Sequence, residues 1–403
     1  MIWVVIAQIV NVLTLTLVTM ILSRYIGTDG VGITSIYLGL VLVMNQLFFN
    51  GLNASINRFF FTYKNLTDYQ LILNVINACK NQILPATIIF ILISYFAFRA
   101  YDINLIGIFS VYLYSFTQGI FAWINTIENA RGKRKKYAIN IFLESMLRLI
   151  LILILFKYVS DKPELLIAAL LISTSVIILI KYIKSNKNFC KIDNKELIKI
   201  NKYSKPYFYF GVASWSSNSA DKFIIGYFLT SILLGQHVYL YQFGYSSPIM
   251  IVSALMIYLT PKIYSKIIKD NERECYKSAD KLIFIICNII LLSGILISVL
   301  IYIIQSELLT LIIGVKYESY KYLYLYFLSG TIYILNHPFS LLLNLRYKTN
   351  LLIIPKYIHS ILFFSCLILG FYYESEIYIF ILSALFSSVI YLVYIYVIFK
   401  KNV

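Results

Sequence analysis

Pro206-Tyr-Phe-Tyr-Phe-Gly-Val-Ala-Ser214-Trp-Ser-Ser-Asn218-Ser-Ala-Asp221-Lys222-Phe-Ile-Ile-Gly226-Tyr-Phe-Leu229 is the stretch on which the reading of this chain turns. It opens apolar, becomes polar from Ser214 to Lys222, and is apolar again to Leu229. A helix rises about 1.5 Å per residue, so one starting at Pro206 carries Asp221 about 22 Å along its axis. That is past the middle of a hydrocarbon core about 30 Å thick. Charge at such depth is expensive and faces protein or a wet cavity, which makes it a functional-site hypothesis. Helical spacing puts Ser214, Ser217, Asn218 and Asp221 on one face. Lys222 lies about a third of a turn away and can line the same space.

The rest of the composition agrees with a chain buried in lipid. Of 403 residues, 60% are hydrophobic and only 13% charged, and the mean hydropathy is +0.79. Soluble domains carry about 25% charge, so the chain is read as a polytopic membrane protein. Apolar runs fall near 2–23, 31–57, 82–98, 103–127, 138–156, 164–183, 206–229, 236–260, 282–304, 322–344, 350–370 and 377–399. These are twelve spans, hydrophobic all round, which excludes the alternating pattern of a membrane barrel. The first has no basic n-region or cleavage signature before Arg24 and is read as a retained helix.

Loop charge orients the spans. With both termini in the cytoplasm, 27 of the 35 Lys and Arg fall inside, 6 outside, and 2, Arg148 and Lys222, within spans. This is the positive-inside bias, and it accounts for the net charge of +17 without nucleic acid. The five cysteines show no C-x-x-C pair, so neither a disulfide framework nor a zinc site is expected, and no metal or cofactor.

The chain also repeats itself. Gly27-x-x-Gly30-x-Gly32 and Leu234-Gly235 stand in equivalent places at an offset of 203. Glu128-Asn-Ala-Arg131-Gly-Lys133 is echoed by Leu343-Asn-Leu-Arg346-Tyr-Lys348 at an offset of 215. The expectation is two pseudo-symmetric six-helix lobes, 1–183 and 206–403. The basic segment 184–205 would join them as a solvated linker or an interfacial helix. Two such bundles suggest a transporter with its site near mid-membrane.

The ordered motifs Ser23-Arg24-Tyr-Ile-Gly27-Thr-Asp-Gly30-Val-Gly32, Gly51…Arg58-Phe, Ala130-Arg131-Gly132-Lys133, Asp221-Lys222-Phe-Ile-Ile-Gly226 and Pro261-Lys262-Ile-Tyr264 resemble those of the polysaccharide-export flippases. These form the O-antigen (Wzx-type) branch of the MOP superfamily, which also contains the MATE exporters. The resemblance spans nearly the whole chain. It departs from the usual pattern at Gln236-His237-Val-Tyr239. It implies an all-α, MATE-like fold in the bacterial cytoplasmic membrane. The implied function is translocation of an undecaprenyl-pyrophosphate-linked oligosaccharide by alternating access, coupled to H+ or Na+ or to neither. Membrane lipid and the polysaccharide polymerase machinery are the further partners it implies. The alternative is a MATE-like antiporter of multidrug or organic-cation type, which calls for unpaired buried acids, whereas Glu144 and Asp221 each neighbour a base. A membrane glycan polymerase or ligase is disfavoured because no outside loop is long, and no catalytic constellation stands out.

The cavity residues expected from the sequence are Arg148, Lys222, Asp221, Glu144, Asn218, Arg24 and Arg58. Glu144 stands four residues before Arg148, in the favourable orientation for an ion pair, and Arg offers phosphate a planar fork. Arg24 and Arg58 are at span ends, where snorkelling is the ordinary use. Asn45, Asn50, Asn53, Asn57, Gln118 and Asn125 could meet sugar hydroxyls, although interhelical hydrogen bonding is commoner. Lys356 reads as a cytoplasmic anchor, and His337-Pro338 as a kink. His237, His337 and His359 are far apart in sequence, with no carboxylate pair or nucleophile motif near them.

Overall fold

Long apolar runs free of β-alternation fold as helices, and every regular element among the described residues is one. The computed structural model describes residues 2–62, 68–101, 103–183, 193–269, 272–314, 317–346, 348–373 and 377–402, a few of them by backbone alone. Among these residues nine helices are long and apolar enough to cross a membrane. The other three expected spans are also helical. The first contributes a shorter apolar stretch, Ile9–Tyr25; the seventh carries the polar run Ser214–Lys222; the tenth is broken in two.

The first compact unit comprises Met1–Ile26 and Ile33–Trp215. Its helices are α1 (Ile2–Tyr25), α2 (Gly27–Met44), α3 (Asn50–Phe59), α4 (Asp68–Cys79), α5 (Ile83–Tyr101), α6 (Leu105–Ala130), α7 (Arg134–Tyr158), α8 (Glu164–Ile183) and the first part of α9 (Asn194–Phe228). Helix α1 packs on α7, and α8 lies against both α6 and α7. A π-helical turn, Asn45–Phe49, joins α2 to α3. Its Gln46 carbonyl meets α9 at Gly211, where an added Cβ would collide with the backbone. Only a residue without a side chain allows helices to approach this closely.

The second unit comprises Gly27–Gly32 and Ser216–Val403. It holds the rest of α9, then α10 (Ser231–Leu240), α11 (Ser246–Lys269), α12 (Glu272–Ile313), α13 (Leu323–Ile334), α14 (Asn336–Leu345), α15 (Ile353–Tyr373) and α16 (Tyr378–Asn402). Helix α13 lies against α11, α12 and α16, and α15 packs on α16. A second π-turn, Tyr241–Tyr245, precedes Pro248, whose missing N–H cannot reach Gly244. The expected kink at His337-Pro338 is present as the break between α13 and α14 at Leu335. Pro338 cannot donate to the Ile334 carbonyl, so the helical ladder stops there.

The unit boundary differs from the linker drawn from sequence. Residues 184–192 lie outside the described residues. From Asn194 the chain is helical and continues through Pro206 to Phe228, so the second half of the linker is the start of α9. The units divide within that helix, at Trp215 and Ser216. Composition marks the basic segment as a connector and Pro206 reads as a helix start, whereas α9 runs on through Pro206 without ending.

Both parts of the sequence repeat have local structural counterparts. Lys133 N–H donates to Glu128 O (2.9 Å), and Lys348 N–H donates to Leu343 O (2.9 Å). This is the same six-residue helix stop at both ends of the 215 offset, with Gly132 in the left-handed region at φ 76°. At the other offset the contact is reciprocal. A Cβ on Gly32 would strike the Ser231 carbonyl, and one on Gly235 would strike the Thr28 carbonyl. Thr28 corresponds to Ser231 at the offset of 203 that relates Gly32 to Gly235.

Candidate functional site

Two buried polar clusters stand out, one within each unit. In the first, α7 carries Glu144 and Arg148 one turn apart, with Arg148 Nη2 3.3 Å from Glu144 Oε2. The same Nη2 donates to Asn11 Oδ1 on α1 (3.2 Å) and approaches Ser145 Oγ (3.4 Å). Ser173 Oγ on α8 donates to Glu144 Oε1 (3.2 Å). The pair is thus fixed from three helices, and its side chains are 11% and 7% exposed. An ion pair withdrawn from solvent needs such extra hydrogen bonds to offset desolvation.

The second cluster is built on the opening stretch. Asp221 is fully buried. Its Oδ1 lies 3.4 Å from Lys222 Nζ, and its Oδ2 lies 3.1 Å from His237 Nε2 on α10. His237 Nδ1 is 2.8 Å from Tyr326 Oη on α13. Lys222 Nζ sits over the Tyr241 ring, 4.0 Å from its centroid, a contact that stabilises a desolvated ammonium. Tyr241 Oη donates to the backbone carbonyl of Asn218 (3.1 Å), so Asn218 joins the cluster through its main chain. The arrangement holds a carboxylate between two bases. It can store a charge, exchange the carboxylate's partner, or pass a proton along Asp221, His237 and Tyr326.

The structure therefore brings together Glu144 with Arg148, and Asp221 with Lys222 and Asn218. Arg24 is exposed in the last turn of α1, and Arg58 is buried in the last turn of α3. The asparagines serve mainly between helices, as in Asn45 to Gln118, Thr126 to Asn53, and Asn140 to Asn125. The sequence misses one contact and misleads on one residue. The contact of His237 with Asp221 is made because the turn at Leu229–Thr230 folds His237 back. A signal for this exists: Asp221 lies eight residues before Leu229 and His237 seven after Thr230, so both fall at one depth. Lys356 is no anchor, since it is fully buried inside the second unit. Among the described residues no group of three or more His, Cys, Asp or Glu is placed to hold a metal.

No protein-family model and no curated protein matches the chain. Solved structures do. The Vibrio cholerae MATE transporter VcmN in its bent form is 15% identical, with a TM-score of 0.65 over 98% of this chain and 94% of that one. An outward-facing multidrug resistance MATE family transporter of the MOP superfamily is 13% identical, with a TM-score of 0.58 over 99% and 96%. A chain named only protein A is 15% identical, with a TM-score of 0.72 over 99% and 94%. The chain has the MATE fold. That fold and the nine apolar helices make it a multi-pass membrane protein. Its helices carry the pair Glu144–Arg148 in the first unit and Asp221–Lys222 in the second.

Proposed function

We propose that this protein is a membrane transporter of the MATE type, exchanging a solute for a cation. The observation that carries the reading is the MATE fold along the whole chain; within it the two buried carboxylates, Glu144 and Asp221, are held by bases and not unpaired as such an antiporter calls for. A paired acid can act as a switch: a proton or a metal cation that takes the carboxylate releases the base, and the reverse step expels the cation. Because Arg148 and Lys222 are both neutralised within their own units, neither offers a free cationic wall to a pyrophosphate. The same pairing neutralises Glu144 and Asp221, so the preference for an organic-cation cargo over the anionic lipid-linked glycan rests on the MATE fold. In this reading the protein resides in the bacterial cytoplasmic membrane with both termini inside.

A second reading, flipping of a lipid-linked oligosaccharide, draws on the ordered motifs from Ser23 to Tyr264. One experiment separates the two. The purified chain is placed in liposomes, and ethidium movement is followed under an imposed pH or Na+ gradient. Gradient-driven ethidium movement supports the antiporter. Its absence, with accelerated protection of a fluorescent polyprenyl-pyrophosphate glycan, supports the flippase. Neither movement overturns both.

A further inference from the structure

Four buried or half-buried basic side chains each face a carboxylate. Arg148 has Glu144, Lys181 has Glu128, Lys222 has Asp221 and Arg346 has Asp280, all within 3.4 Å. Lys356 differs. It is 0% exposed, and among the described residues no carboxylate pairs with it. Its Nζ donates to Tyr333 Oη (2.9 Å) and lies over the rings of Tyr333 and Tyr391, 4.7 and 5.3 Å from their centroids. One turn on, along the same face of α15, His359 is 1% exposed. Neither of its ring nitrogens has a hydrogen-bond partner among the described residues. Its ring is packed against Tyr333, Tyr391 and Phe363.

The groups facing this spot each have a proton to give, although the second ring nitrogen of His359 and the tyrosine oxygens can also accept. Lys356 has three N–H bonds and one is used; His359 offers a ring N–H; Tyr333 accepts from Lys356 and keeps its own proton to give. From α13, α15 and α16 the facing polar groups are Tyr333, Lys356, His359 and Tyr391, with Tyr245 and, from α14, Ser340 beside the tyrosines, and none of them is an acid. A charge buried without a counter-charge is strongly disfavoured, as is an unsatisfied buried donor. Both defects are removed by one negatively charged acceptor, and enclosure by rings limits its size.

We propose that Lys356, His359 and Tyr333 form a binding site for a small monovalent anion of halide size inside the second unit. The site holds its ion at rest as a counter-charge to Lys356, so it does not rest on the transport reading.

The test is equilibrium binding of radiolabelled chloride to the purified full chain, with gluconate as the replacing anion. Saturable binding of chloride is expected. Lys356→Met should abolish it, His359→Phe should weaken it at least tenfold, and the exposed-residue control Lys321→Met should leave it unchanged. Should Lys356→Met fail to fold, bromide anomalous scattering from wild-type crystals decides. A peak in contact with Lys356 Nζ supports the site, and no peak there overturns it. Absence of saturable chloride binding by the wild type, or unchanged binding by a folded Lys356→Met variant, also overturns it.

Discussion

His237 Nε2 lies 3.1 Å from Asp221 Oδ2, although the two residues are sixteen apart in the chain. The turn at Leu229–Thr230 makes the contact by returning the chain alongside itself, capped where Thr230 Oγ1 accepts from Leu233 N–H. The result is an acid inside the membrane region with a base on either side.

This contact predicts a split between stability and transport. Asp221→Ala leaves Lys222 buried without its acid, and breaking such a pair costs about 3–5 kcal/mol. Asp221→Asn combined with Lys222→Met removes both charges and should recover most of the thermal stability. Transport in liposomes should stay lost in both variants. Full transport by the double variant would show that the pair is only structural.

The first unit makes a parallel prediction. Arg148→Ala should abolish substrate movement while protein levels stay near normal. Arg148→Lys should rescue in part, because the charge survives but the guanidinium Nη2 that reaches both Glu144 and Asn11 is lost. Normal movement by Arg148→Ala would remove this pair from the mechanism.

Gly211 tests the closeness of α9 to the Asn45–Phe49 turn. Gly211→Ala adds a Cβ against the Gln46 carbonyl, and overpacking of this kind costs about 1–3 kcal/mol. Gly211→Val should cost more. Gly132→Ala has no neighbour to strike, and its cost is the left-handed backbone alone, about 1–2 kcal/mol. Midpoints of thermal unfolding in detergent should fall furthest for Gly211→Val and least for Gly132→Ala. A Gly211→Val midpoint equal to that of the wild type would show that the two segments are not in close contact.

Orientation is open to direct measurement. Reporter fusions at Lys133 and Lys195 should read as cytoplasmic, and one at Ser231 as external, because basic loops stay inside. An externally active fusion at Lys195 would invert the assignment.

The helices are legible in the sequence because membrane spans announce themselves by length and hydropathy. Glu144 and Arg148 are legible too, since residues four apart on a helix meet whatever the tertiary fold. Asp221 with Lys222 is visible as charge in the wrong solvent. His237 is not, since its partner is set by a turn and not by helical spacing. Lys356 is misread for a related reason: near a span end, depth alone cannot tell a snorkelling lysine from one turned inward under Tyr333 and Tyr391. The boundary within α9 is hidden because a basic segment and a helix are compatible. The repeat is legible at its glycines and its helix stops, where the backbone itself constrains the residue.

The paired positions Gly32 and Gly235 bear on ancestry. Each accommodates a carbonyl from the other's helix, so what the contact requires is a missing side chain and nothing more specific. If the two halves descend from one duplicated segment, such a contact lets nearly every other site drift while the two glycines and their spacing persist, so the place to look for that history is where atoms are absent.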